Sequence, residues 1–259
     1  MRNAVQHRGW ISRRSLRGAS AALALAVVLG LGVTIQLAQA QTFTVLYSFC
    51  SQSNCTDGAN PFAGLVQDAA GNLYGTTDEG GASYGDNYLG AGTVFKIDTS
   101  GTETVLYSFC SVSDCADGAG PFATLVLDAQ GNLYGTTVVG GGTGCRGAGC
   151  GTVFKVDTSG TETLLYSFTG GTTDGCYPYG GVVLDASGNL YGTTYQCGAS
   201  GFGTVFKLDT SGTETVLHNF TDGSDGTGPM YSSLGNNIVD STTIFLYYLS
   251  HGEQGHDRT

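Results

Sequence analysis

From residue 42 to about residue 230 the chain is written in short runs of β-branched and aromatic residues, each stopped by Asp, Gly, Ser or Asn. Within 122–168 the runs are 122–128, 132–137, 151–157 and 161–168. That spacing predicts four short antiparallel strands. In the last strand type, Val105, Tyr107 and Phe109 share one face while Leu106 and Ser108 share the other, so both faces are largely apolar. A sheet of this kind must be covered on both sides. Asp128-Ala129-Gln130-Gly131 and Asp157-Thr158-Ser159-Gly160 separate the runs and read as tight turns, with Asp capping and Gly supplying positive φ. No helical periodicity extends over a useful length beyond residue 40.

The same pattern recurs. GNLYGTT stands at 71–77, 131–137 and 188–194, and each copy is followed by GTVFK, beginning at Gly92, Gly151 and Gly203, and by TSGTE. Tyr47, Tyr107 and Tyr166 are 60 and 59 residues apart, and His218 takes the same place 52 residues later. A fixed period means units that bury their apolar faces against one another, and four strands per unit is the blade of a β-propeller. The expected fold is therefore all-β, a β-propeller-like array over residues 41–235 with three complete repeats and a degenerate fourth. The segment 42–49 is an orphan fourth strand that would close that last blade. After Gly228-Pro229 no further GNLYGTT follows, and 236–259 diverges. The competing expectation is an open arc, from truncation or a change of frame, with edges prone to associate.

GNLYGTT, GTVFKxDxSGTET and LYSF with a following DG…P resemble the GloVer tandem repeat of secreted bacterial proteins, over about residues 43–233. The resemblance implies a propeller-like fold and export with variable anchoring. It brings no activity, so no catalytic residue is carried over.

Arg2, Arg8, Arg13, Arg14 and Arg17 precede an apolar run over 21–37, and Ala38-Gln39-Ala40 supplies a cleavage site. This pattern reads as an export signal over residues 1–40, placing the mature chain in the periplasm, on the cell surface or in the medium, with no stable membrane span. Ser12-Arg13-Arg14-Ser15-Leu16 partly matches a twin-arginine signal. Loss of the signal leaves five basic residues against 21 acidic ones, a formal net charge of −16. Such a surface argues against nucleic acid or anionic lipid as partner. Trp10, the single tryptophan, leaves with the signal, which weakens a tryptophan-based lectin reading.

Antiparallel connectivity sends the uniform D-x-x-G turns to one end of the sheets and the variable loops to the other. The loop end receives all eight cysteines, Cys50, Cys55, Cys110, Cys115, Cys145, Cys150, Cys176 and Cys197. An even count in an exported chain, with three pairs each enclosing four residues, suggests disulfides, with Cys176 and Cys197 as the fourth pair. A metal site is the sharper reading, but the pairs lack zinc-ribbon spacing and an adjacent His. Asp57, Asp117, Asp174 and Asp225 each precede Gly in the long connections and are candidates either for calcium, the one cofactor considered, or for turn formation. Lys96, Lys155 and Lys207 recur at one repeat position and are expected to pair with a nearby acid or lie across an aromatic ring. The G-x-S-x-G match at 81–85 and the G-x-G-x-x-G match at 142–147 lack the helix each motif requires.

Recognition on a rigid scaffold is expected on its irregular connections. The candidate ligand contacts are Tyr84, Asp86, Asn87, Tyr88, Arg146, Tyr177, Tyr179 and Tyr195, where tyrosine offers stacking area and a hydroxyl to a glycan or an envelope protein. The leading expectation is an exported, non-enzymatic binding protein. The alternatives are a polysaccharide hydrolase or lyase, and a purely structural surface protein or fragment of a longer array.

Overall fold

The computed structural model describes residues 42–81 and 90–229. The chain divides into two compact units, Met1–Thr44 and Val45–Thr259, and all strands lie in the second. The expected export segment, 1–40, and the divergent segment, 236–259, fall outside the described residues. No described helix is long and apolar enough to cross a membrane.

The strands are β1 (Val66–Gln67), β2 (Leu73–Thr77), β3 (Thr93–Ile97), β4 (Glu103–Ser108), β5 (Val126–Leu127), β6 (Leu133–Thr137), β7 (Thr152–Val156), β8 (Glu162–Ser167), β9 (Gly175–Cys176), β10 (Val183–Leu184), β11 (Leu190–Thr194), β12 (Gln196–Cys197), β13 (Thr204–Leu208) and β14 (Glu214–Asn219). They form three four-stranded antiparallel sheets in the orders β1-β2-β3-β4, β5-β6-β7-β8 and β10-β11-β13-β14, with β9 and β12 as a separate ribbon. Each four-stranded sheet is one sequence repeat, laid down in chain order.

Every residue of GNLYGTT has a task. Asp128 Oδ1 accepts from the Gln130 and Asn132 N–H groups at 2.9 and 2.8 Å, and its Oδ2 accepts from Asn132 Nδ2 and the Tyr134 hydroxyl at 2.7 and 3.1 Å. Asp68 and Asp185 make the same four bonds. The Asn and Tyr of the motif thus lock the turn that precedes them. Gly135 lies under the Phe154 ring, where a Cβ would come within 2.6 Å of the ring edge. The last threonine pairs across to the next strand, Thr137 Oγ1 to Thr152 Oγ1 at 2.7 Å. The one before it reaches the neighbouring repeat, Thr136 Oγ1 donating to the Gly180 carbonyl at 2.9 Å.

The core lies between successive sheets, as two-sided apolar strands require. Val94 and Phe109 of the first repeat pack with Leu125, Leu133, Phe154 and Val156 of the second; Val153 and Phe168 pack with Val182, Leu190, Phe206 and Leu208. Phe95, Phe154 and Phe206 are sealed from solvent, each contributing about 2 kcal/mol by burial. The ring contact that joins repeats recurs: Phe109 on Phe154 at 4.8 Å and Phe168 on Phe206 at 5.1 Å.

Two sequence expectations are modified. The first strand of each repeat has two residues rather than seven, because the residues before it bond elsewhere: the Ala123 carbonyl accepts from Thr76 Oγ1 of the preceding repeat at 3.3 Å. Residues 42–48 carry no strand. Phe49 nevertheless meets Phe95 at 4.6 Å, as Phe109 meets Phe154, so its ring is docked like that of a residue following a fourth strand.

Candidate functional site

The four disulfides pair as the spacing suggested: Cys50–Cys55, Cys110–Cys115, Cys145–Cys150 and Cys176–Cys197. The first two close equivalent corners. Within each, a buried aspartate gathers the chain. Asp117 Oδ2 accepts from the Tyr107 hydroxyl at 2.7 Å and from Ser111 N–H and Oγ at 2.8 and 2.9 Å. Asp57 is bonded in the same way by Tyr47 and Ser51, and Asp174 by Tyr166 and Thr169. In the fourth copy His218 replaces the tyrosine, and its Nε2 lies 3.2 Å from Asp225 Oδ2. The four carboxylates considered for calcium stand in separate repeats, and the buried three accept O–H and N–H donors within their own corners. The Asp-Gly pairs build corners. Lys96 and Lys207 lie over the Tyr74 and Tyr191 rings, 5.9 Å from each centroid, the aromatic arrangement anticipated for them.

Among the candidate contacts, Tyr84, Asp86, Asn87 and Tyr88 lie outside the described residues. Of the other four, Tyr177, Tyr179 and Tyr195 lie at the loop end of the third repeat and Arg146 in a loop of the second. Tyr179 and Tyr195 meet edge to face at 5.6 Å, and the N–H groups of both donate to the Tyr177 carbonyl, at 2.9 and 3.0 Å. Tyr177 and Arg146 line an open groove of about 610 Å³, together with Cys145, Cys176 and Cys197.

The structure adds Phe62 and Phe122 to the expected contacts. Phe62, Phe122 and Tyr179 each follow a proline at the start of a repeat, and they extend the tyrosine pair into a row. Phe62 stacks on Phe122 at 5.5 Å, and Phe122 meets Tyr179 at 5.7 Å. Phe62 is 67% exposed. Beside the row stands Asp78, at a position occupied by Val138 and Tyr195 in the other repeats. Its carboxyl is pushed up to about 6 by burial and by the charge of Glu79, and it in turn raises Tyr179, after burial and Tyr195. Asp78 and Glu79 line a cavity of about 360 Å³ with Cys110, Cys115 and Val139. The available signals were the Pro-aromatic step shared by three repeats and the single acid at a position otherwise apolar or aromatic.

A second set of carboxyls was also missed. Glu103, Glu162 and Glu214 begin the fourth strand of each sheet, each with Oε1 buried and without a hydrogen-bond partner. Burial first, and then Asp57, Asp117 and Asp174 respectively, push them up to about 7. Because this arrangement is identical in every repeat, it belongs to the junction between repeats.

The sequence profile of the Gloeobacter/Verrucomicrobia repeat matches residues 25–252. The chain belongs to this family. Among curated protein sequences none matches. Solved structures similar to this repeat protein include a streptogramin B lyase (15% identity, TM-score 0.42, covering 65% of this chain and 43% of that one). Others are a catalytically inactive virginiamycin B lyase from Staphylococcus aureus with quinupristin (13%, 0.41, 64% and 43%) and a luciferin-regenerating enzyme (16%, 0.35, 61% and 45%). This chain spans less than half the length of each, and at such TM-scores the likeness carries no argument about fold or activity.

Proposed function

We propose that this Gloeobacter/Verrucomicrobia repeat protein is an exported, non-enzymatic binding protein that takes a glycan, or a glycan-bearing envelope protein, at the loop end of its sheets. The observation that carries this reading is the row Phe62–Phe122–Tyr179–Tyr195, with Phe62 largely exposed and each ring in contact with the next. Aromatic rings spaced across successive repeats suit a chain of sugar rings. Asp78 supplies an acceptor beside them. The sheets are read as propeller blades, with 42–49 in the place of a preceding blade's fourth strand; the equivalence of the Phe49–Phe95 contact to its counterparts supports this.

Binding to the native state raises the melting temperature, so the test is a thermal melt of the oxidised protein against neutral and acidic oligosaccharides. A shift in the wild type that is lost in Phe62→Ala/Tyr179→Ala supports the reading. Retention of the full shift by that double variant would sink it. A second reading, a polysaccharide hydrolase or lyase, draws on the Asp78 carboxyl, which burial and then Glu79 push up to about 6. Release of product that disappears in Asp78→Asn would replace the binding reading with that one.

A further inference from the structure

Two of the four disulfides are unlike the others. Cys50–Cys55 and Cys110–Cys115 occupy the same place in consecutive repeats, whereas Cys145–Cys150 and Cys176–Cys197 lie in different repeats and meet sulfur to sulfur. The Sγ atoms of Cys145, Cys176 and Cys197 all lie within 4.8 Å of one another, and no other such group of His, Cys, Asp or Glu is found among the described residues. Cys150, bonded to Cys145, stands outside that group but shares its buried core with Cys176. A Cβ placed on Gly170 would sit 3.0, 3.1 and 3.3 Å from the sulfurs of Cys150, Cys145 and Cys197, so the chain passes this cluster with a residue that has no side chain.

We propose that Cys145, Cys150, Cys176 and Cys197 form a redox-gated tetrathiolate site for one soft metal ion, with zinc as the reference ion. Four thiolates around zinc at about 2.3 Å stand about 3.8 Å apart, so on reduction each bonded pair moves apart to that spacing, while Cys145, within 4.8 Å of Cys176 and Cys197, closes on them by up to roughly an ångström. The backbone that carries them is fixed independently of the sulfurs. β9 pairs with β12, placing Cys176 opposite Gln196 and Cys197 opposite Gly175, and the Tyr177 N–H donates to the Cys150 carbonyl at 2.8 Å. Cys145 and Cys197 are partly exposed and line the open groove, which gives a reductant and an ion access. Arg146 lines the same groove, where its cation offsets the charge of a tetrathiolate.

The exchange balances. Each disulfide takes two electrons and two protons from an external dithiol, which leaves as its own disulfide. The four thiols then lose four protons as one divalent ion binds, leaving the site with a net charge of −2. Reoxidation by a disulfide reverses both steps and releases the ion.

The experiment compares full-length oxidised protein with protein reduced by a dithiol, each titrated with zinc against a chromophoric chelator and then melted. The expected result is no zinc on the oxidised form and one ion per chain on the reduced form, with zinc restoring the melting temperature that reduction lowers. The variant with serine at Cys50, Cys55, Cys110 and Cys115 keeps that single ion. Cys197→Ser weakens binding at least tenfold. The proposal is overturned by a reduced chain that binds no zinc, or by zinc that binds without raising the melt, as it would on unfolded thiols. It is equally overturned if binding survives Cys197→Ser or is lost in the four-serine variant.

Discussion

The two ends of the sheets follow different rules. At the turn end, Asp68, Asp128 and Asp185 make the same four hydrogen bonds, and Asp98, Asp157 and Asp209 likewise cap their turns with matching bonds. At the loop end, corners built around Asp57, Asp117 and Asp174 alternate with residues that occur once: Asp78, Arg146, Tyr195 and the paired disulfides. A repeat enforces identity wherever a residue holds its own unit together or joins it to the next. Departure from the repeat therefore marks positions free to contact something else. The junction glutamates show that an unusual environment is not enough, since a site copied three times is part of the packing.

The largest separation between scaffold and loop end is expected in stability. Phe154→Ala removes a fully buried ring between repeats and should cost about 4 kcal/mol, whereas Phe62→Ala, mostly exposed, should stay within about 0.5 kcal/mol of the wild type; urea denaturation measures both. Next come the staples. Opening the Cys176–Cys197 loop of 21 residues with serines should cost about 3 kcal/mol, and opening Cys50–Cys55, which spans five, about 2 kcal/mol on chain entropy. At the loop end itself, Asp117→Ala strands the Tyr107 and Ser111 donors and should lose about 2 kcal/mol. Asp78→Asn should lose nothing at neutral pH, because it removes a carboxylate that burial disfavours.

The pH dependence sharpens the same contrast. Glu103, Glu162 and Glu214 rise from an ordinary 4.5 to about 7 on folding. Their contribution is complete below pH 4.5 and is lost as pH rises through about 7. Asp57 moves the other way, from 3.8 to about 2: burial alone would raise it, but hydrogen bonds from Ser51, Tyr47 and Gln52 outweigh burial. Its contribution is present above pH 3.8 and is lost as pH falls toward 2. Melting temperature should peak at about pH 4–5, and replacing the three glutamates with glutamine should flatten the decline between pH 5 and 7. A melting temperature that rises across that interval in the wild type would contradict the assignment.

Most of the fold could be read from the residues. GNLYGTT, GTVFK and their turns placed three of the four strands in each sheet within a residue or two, since local hydrogen bonds determine them. The short first strand was not legible, because its residues bond across to the preceding repeat. Spacing along the chain indicated three of the cysteine pairs, and the placing of Cys176 and Cys197 in two loops of one repeat indicated the fourth. The meeting of two disulfides at Gly170 depends on where separate loops pass in space, which spacing does not encode. Tyr179 and Tyr195 were anticipated as loop aromatics, whereas Phe62 and Phe122 were not among the expected contacts. Exposure, known only from the folded chain, distinguishes them from Phe95 and Phe154.

The most direct test of the division between scaffold and binding end is a parallel ligand-shift melt of the wild type, Phe62→Ala/Tyr179→Ala and Asp117→Ala with one oligosaccharide that stabilises the wild type. The account predicts that the aromatic variant keeps its intrinsic melting temperature and loses the shift, while the Asp117 variant melts lower and keeps the shift. The reverse pattern, with the shift surviving loss of the rings and vanishing with the corner, would contradict it.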